Sequence, residues 1–165
     1  MERGTTTNAG TATGAVPLRS AWPAYVSAAS FGIYAAMKAT YAVQGKLGLP
    51  IVGREVPAAA YEVGYVALRQ WTLAGLGLAT ALIALASVRG WGRRIPRWLL
   101  LSAMWAVFLP SLAAVPFVVE RVADDSESAG YRLFVAVQSA VGLSLWAAAT
   151  LGYQRRSRRR PTEPA

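Results

Sequence analysis

The chain contains no cysteine and no histidine. Without thiols it has no disulfides, thiolate nucleophiles or iron–sulfur ligands; without imidazole it lacks the usual zinc and haem ligands and the usual base near neutral pH. No metal site and no cofactor is expected, and redox chemistry is disfavoured. Lysine is nearly missing too: only Lys38 and Lys46 stand beside the arginines, and 8 acidic residues face 17 basic ones, for a net charge of +9. In a chain that is 55% hydrophobic, such a basic excess points to membrane orientation and anionic lipid before nucleic acid, and no nucleic-acid partner is expected. The bias towards arginine and alanine fits a GC-rich bacterial genome.

The chain does have four long apolar blocks. The first, residues 22–44 (WPAYVSAASFGIYAAMKATYAVQ), reaches about 34 Å as a helix, enough to cross a hydrocarbon core of about 30 Å. Comparable blocks at residues 68–88, 98–119 and 131–153 predict an all-α fold, an integral membrane four-helix bundle with both termini cytoplasmic. Residues 1–21, rich in Thr, Gly and Ala, are expected to be a disordered cytoplasmic tail. Residues 154–165 (QRRSRRRPTEPA) form a polybasic cytoplasmic tail that meets anionic headgroups. Arg19 before an apolar run also fits a secretory signal, but the run exceeds a usual signal core and no convincing cleavage site comes after it, so a retained span is expected.

Small residues recur along these blocks at helical spacing. Ala28, Gly32, Ala35, Ala39 and Ala42 form one stripe; Gln70, Ala74, Gly77, Ala81 and Ala84 form another. Such stripes let backbones approach closely in lipid. A third line joins Ser102, Ala106, Leu109, Ala113, Pro116 and Glu120, and a fourth joins Val135, Gln138, Gly142, Leu145, Ala149 and Gly152; all are expected to face the bundle centre. Pro110 and Pro116 should kink the third span. Residues 89–97 (RGWGRRIPR) read as a tight basic hairpin, with Gly90 stopping one helix and Pro96 starting the next. Residues 45–67 are broken by Gly and Pro, which predicts a surface loop or short interfacial helix.

The end of the first block together with the start of the broken segment, TYAVQGKLGLP at residues 40–50, resembles a family of small bacterial four-helix integral membrane proteins of unknown function, whose first helix closes in a Trp-Ala-x-Gly-Gly-x-x-Gly-like segment. Here Tyr41 and Gln44 stand where that family tends to have Trp and Gly, and Lys38 stands near its frequent His. The resemblance implies the four-helix architecture and transfers no catalytic residue.

Charge sets the expected orientation. Eleven arginines fall at the termini and residues 89–97, against five basic residues (Lys46, Arg54, Arg69, Arg121 and Arg132) on the other side, so the termini are expected inside and the protein in the cell membrane as a multi-pass chain. Lys38, Gln70, Glu120 and Gln138 then come one from each span, all in the outward half. They predict an outward-facing polar cluster, either an interhelical Lys38–Glu120 ion pair with glutamine hydrogen bonds, or a pocket for an amphipathic, lipid-like molecule lined by Tyr34, Tyr41 and Trp71.

Three classes of function are open to such a chain. One is a non-catalytic accessory, structural or ligand-binding bundle, with a homodimer or another membrane protein as partner. The second is a membrane-embedded isomerase or cyclase acting on a lipid-like or isoprenoid substrate, with Glu62 or Glu120 as the proton donor. The third is a small transporter, although the first span carries a lysine rather than the carboxylate that coupling usually needs.

Overall fold

The computed structural model describes residues 18–49, 54–57, 65–123 and 129–158. The expected tail up to residue 17, Glu62, the acidic turn at 124–128 and the arginines after Arg158 lie outside the described residues.

Helix α1 (Leu18–Gln44) begins inside the segment that composition assigned to the tail. Pro23 in its second turn forfeits one backbone bond but fits helical φ. The helix ends at Gly45, whose φ of +64° is the left-handed conformation glycine adopts without a Cβ penalty. Where a loop or interfacial helix was expected, strands β1 (Lys46–Leu49) and β2 (Arg54–Pro57) pair antiparallel, Lys46 opposite Pro57 and Leu49 opposite Arg54. Tyr65, exposed and left-handed at φ 64°, then leads into α2 (Val66–Ala86).

Helix α2 stops at Ala86, not at Gly90. Ser87 bonds back to the Ala84 carbonyl at 2.7 Å, Arg89 turns extended, and Gly90 opens a 3-10 turn (Gly90–Arg94). A Cβ on Gly92 would strike the Ala86 carbonyl, so the turn folds flat against the helix end only because that residue is glycine. Pro96 precedes α3 (Arg97–Ala113).

The expected single kinked third span is two helices, α3 and α4 (Val115–Ala123), broken at Ala114. The cause is Pro116, which has no N–H to give the Leu112 carbonyl and whose ring crowds it; the Ala114 N–H keeps its helical bond to the Pro110 carbonyl and also approaches that of Leu112. The last helix, α5 (Ala129–Arg158), is 30 residues long. Among the described residues there are thus five α-helices rather than four, and α2 and α5 are long and apolar enough to cross a membrane.

Helices α1, α2, α3 and α5 close a ring: α1 packs on α2 and α5, and α3 packs on α2 and α5, with α4 continuing α3 along α5. Neighbours run antiparallel. Near one end Arg156 of α5 donates to the Ser20 carbonyl of α1 at 3.0 Å and Arg89 lies 5.4 Å from the Tyr25 ring. Deeper in, Phe31 meets Trp146 edge to face at 5.5 Å. The hairpin sits at the opposite end.

The interior is made of small side chains. Among the described residues ten of the sixteen buried hydrophobic ones are alanines, while nine leucines, including Leu68, Leu76, Leu78 and Leu82 on α2, are among the exposed large hydrophobics. The stripe read on α2 is the buried face: Gln70, Ala74, Gly77, Ala81 and Ala84 are all inside. At Gly77 α1 and α2 come close, since a Cβ there would stand 3.0 Å from the Tyr34 ring and 3.3 Å from the Phe31 carbonyl. The line read on the third span is a correction. Ser102, Ala106, Leu109, Ala113, Pro116 and Glu120 all face outward, and α3 instead turns Leu100 and Met104 inward. Alanine-lined α1 and α2 leave a gap that large side chains fill and small ones do not.

Candidate functional site

Two regions hold the polar residues that the helices bury or border. The first lies where α1 meets the hairpin. Tyr41 and Lys38 are buried one turn apart on α1, and the Lys38 ammonium stands 5.6 Å from the Tyr34 ring centroid, within cation–π range. Gln70, at the head of α2, is 1% exposed. Its amide Nε2 donates to the Lys46 carbonyl at 2.9 Å, tying the first strand residue to α2. Its Oε1 is buried without a hydrogen-bond partner.

The second region lies between α1, α4 and α5. A cleft of about 820 Å³ opens between α4 and α5, with valines 115, 118, 119 and 122 on one wall and Trp146 among the residues of the other. A smaller cleft of about 150 Å³ lies between α1 and α5, bordered by Ser27, Ser30, Tyr34 and Leu145. Phe31, Gln138 and Gly142 line both, so the two meet at one junction. Helix periodicity explains the arrangement: Ser27, Phe31 and Tyr34 recur at 4 and 3 on α1, and Gln138, Gly142 and Leu145 at 4 and 3 on α5, each set on one face. Helix α4 packs on α5 and α3, and the larger cleft lies between it and α5.

The candidate residues therefore divide. Lys38, Tyr41 and Gln70 lie toward the hairpin end, while Tyr34 stands at the middle of α1, opposite Gly77 of α2. Gln138 joins Tyr34 at the smaller cleft instead. Glu120 is exposed on α4, which packs on α3 and α5 rather than α1, and the ion pair expected between it and Lys38 is not formed. Trp71 is 51% exposed on the outer face of α2, one residue past the buried Gln70, and does not line either cleft. Glu62 lies outside the described residues. Ser27, Phe31, Gly142 and Trp146 were not among the candidates. Their signal was present for α1, where Ser27 and Phe31 stand on the same helical face as Tyr34 and Lys38; for Trp146 the signal was a lone large aromatic inside an alanine-rich block.

Chemically, the clefts are apolar with a few neutral hydrogen-bonding groups. Among the described residues no carboxylate, lysine or arginine lines either one, and no group of acidic side chains is placed to hold a metal ion. Such a lining suits retention and orientation of an apolar molecule more than proton transfer. Compared with family models, curated proteins and solved structures, the chain matches none, so the resemblance at residues 40–50 assigns no family.

Proposed function

We propose that this chain is a multi-pass membrane protein with spans near residues 22–44, 68–88, 98–119 and 131–153, acting as a non-catalytic bundle that holds an amphipathic molecule in the cleft between α4 and α5. The observation that carries the membrane reading is the inversion of the usual burial pattern. Nine exposed leucines, each about half exposed, would forgo on the order of 10 kcal/mol of burial free energy in water, comparable with the whole net stability of a domain. In hydrocarbon that cost vanishes, and small residues inside become the means of close packing. The core helix of a water-soluble protein passes the same length test but is mostly buried; here only 33% of the apolar window of α2 and 22% of that of α5 is buried.

Charge supports one orientation. The helix ends joined by Arg156 and Ser20, and by Arg89 and Tyr25, share their side with the turn that carries Arg93 and Arg94, which favours that end in the cytoplasm against anionic headgroups. The hairpin and most of the larger cleft then belong to the outward half, and the smaller cleft, from Ser27 to Tyr34 on α1, lies about the middle of the bundle.

The cleft supports the ligand-holding part. Its volume lies within the range of about 300–1,000 Å³ of small-molecule sites, and its walls are chiefly valine, alanine and aromatic. The enzyme reading needs an acid at the site; Glu120 faces away from the cleft lining. The test is to purify the full chain from membranes into a mild detergent and weigh it intact by native mass spectrometry. One apolar or amphipathic molecule retained per chain through delipidation is the expected result; a chain recovered from the aqueous fraction, or one that carries only bulk lipid, contradicts the proposal.

A further inference from the structure

Resting on the membrane reading and on the cleft between α4 and α5, we infer that the molecule held there is a neutral long-chain amphiphile, its hydrocarbon in the larger cleft and an uncharged hydroxyl or carbonyl head on Ser27 and Gln138 in the smaller one.

Ser27 is the observation that points to a head group. It is 3% exposed and its hydroxyl has no hydrogen-bond partner. Elsewhere in these helices hydroxyls bond back to the carbonyl four residues earlier: Thr40 to Ala36, Thr72 to Leu68, Thr80 to Leu76 and Ser111 to Val107. That local bond is the default for a serine or threonine with no water to meet. Ser27 forgoes it and borders the smaller cleft. Among the described residues the other buried serine or threonine hydroxyl without a partner, that of Thr150, lines neither cleft. A buried hydroxyl left unsatisfied is costly, and a ligand oxygen is what would satisfy it.

Gln138 supplies the second contact. Its amide both donates and accepts, and it lies at the junction shared by the two clefts. The smaller cleft, about 150 Å³, has room for a head of a few heavy atoms and not for a phosphodiester with its substituents. Charge narrows the class further. With no basic side chain among the described residues of either lining, a carboxylate or phosphate would be desolvated without a counter-ion. Lys38 lies a turn beyond Tyr34 and lines neither cleft. A hydroxyl or carbonyl head needs no counter-ion.

Gly142 gives a clean way to close the junction. A Cβ there meets no protein atom within 4 Å, so a larger side chain would occupy the cleft rather than the protein interior.

The experiment uses the full chain in phosphatidylcholine nanodiscs with two photoreactive probes of equal chain length, a diazirine-bearing C16 alcohol and the matching C16 carboxylate. Saturable labelling by the alcohol on peptides of α4 and α5, at least 10-fold stronger than by the carboxylate, is expected. Ser27→Ala should weaken the alcohol 5- to 10-fold, and Gly142→Leu should abolish saturable labelling with an unchanged melting temperature. Equal labelling by both probes, untouched by Ser27→Ala and Gln138→Leu, overturns the neutral-head inference while the cleft reading stands. No saturable labelling by either probe, in a chain that remains embedded, overturns both.

Discussion

The indole N–H of Trp146 donates to the Met104 carbonyl oxygen at 3.0 Å across the buried centre of the molecule, with the Phe31 ring edge-on to the same indole. One side chain thereby joins α5 to α3 and to α1. Trp146→Phe keeps the aromatic contact and removes the hydrogen bond, so it should cost about 1 kcal/mol. Unfolding by sodium dodecyl sulfate in mixed micelles reads that loss; no change would show that the bond contributes nothing to holding α3.

Two glycines two residues apart on α2 should respond in opposite ways. Gly77→Leu must push apart α1 and α2, where a Cβ already stands 3.0 Å from Tyr34, and should destabilise by about 1–3 kcal/mol. Gly75→Ala meets nothing within 4 Å and removes helix-interior glycine, so stability should stay level or rise by up to about 1 kcal/mol. Thermal melting of both variants checks the pair, and equal losses would contradict the assigned face.

Gly92→Ala should be among the most damaging small substitutions, because its Cβ would meet the rigid Ala86 carbonyl rather than a movable side chain. A loss above about 2 kcal/mol is expected. Gly90→Ala, which meets only the end of the Arg93 side chain at 3.4 Å, should be tolerated. Melting temperatures separate the two.

Gln70→Leu removes the bond from α2 to the Lys46 carbonyl and should cost about 1 kcal/mol, felt mostly at the hairpin. Hydrogen exchange should quicken at Lys46–Leu49 and stay unchanged in the lower half of α2. Uniform quickening would mean that Gln70 supports the whole bundle.

Arg156 lies beyond the last span. Burial lowers its pKa from the ordinary guanidinium value, partly offset by Tyr153, and its Nε and Nη2 have no hydrogen-bond partner. The folded state therefore disfavours the charged form: the penalty is fully present below the folded pKa and is relieved only as pH rises through it, in the alkaline range. Between pH 6 and 9 Arg156 should add no pH dependence to stability, and Arg156→Met should leave the melting temperature level or raised. A pronounced fall would show that its bond to Ser20 outweighs the burial cost.

Much of this architecture was legible in the chain. The apolar blocks announced the helices, and the small stripe from Gln70 to Ala84 announced the buried face of α2, because both come from local periodicity. The break at Ala114 was half visible, since two prolines predicted a kink without saying that Pro116 would divide the helix. What periodicity did not decide is how each helix is rotated. On α3 the small line and the Leu100–Met104 line are equally helical in spacing, and only the gap left by alanines on α1 and α2 selects the larger one. On α4 Glu120 is likewise exposed, and the expected pairing with Lys38 is not formed. The hairpin was missed because its ladder joins four-residue strands too short for a periodic signal. Ser27 stood on the right face, yet its missing backbone bond is a property of geometry alone.

Residence in the membrane is the central claim, and the lack of native cysteine makes it directly measurable. Gln44→Cys, Leu78→Cys and Trp91→Cys, made singly, place one thiol each near the hairpin, on the exposed face of α2 and in the basic turn. A membrane-impermeant maleimide applied to intact cells should label the first alone, label the third only after permeabilisation, and leave the second unreactive until detergent is added. Free labelling of the thiol at position 78 in untreated membranes would contradict that claim, because the leucine face of α2 would then meet water.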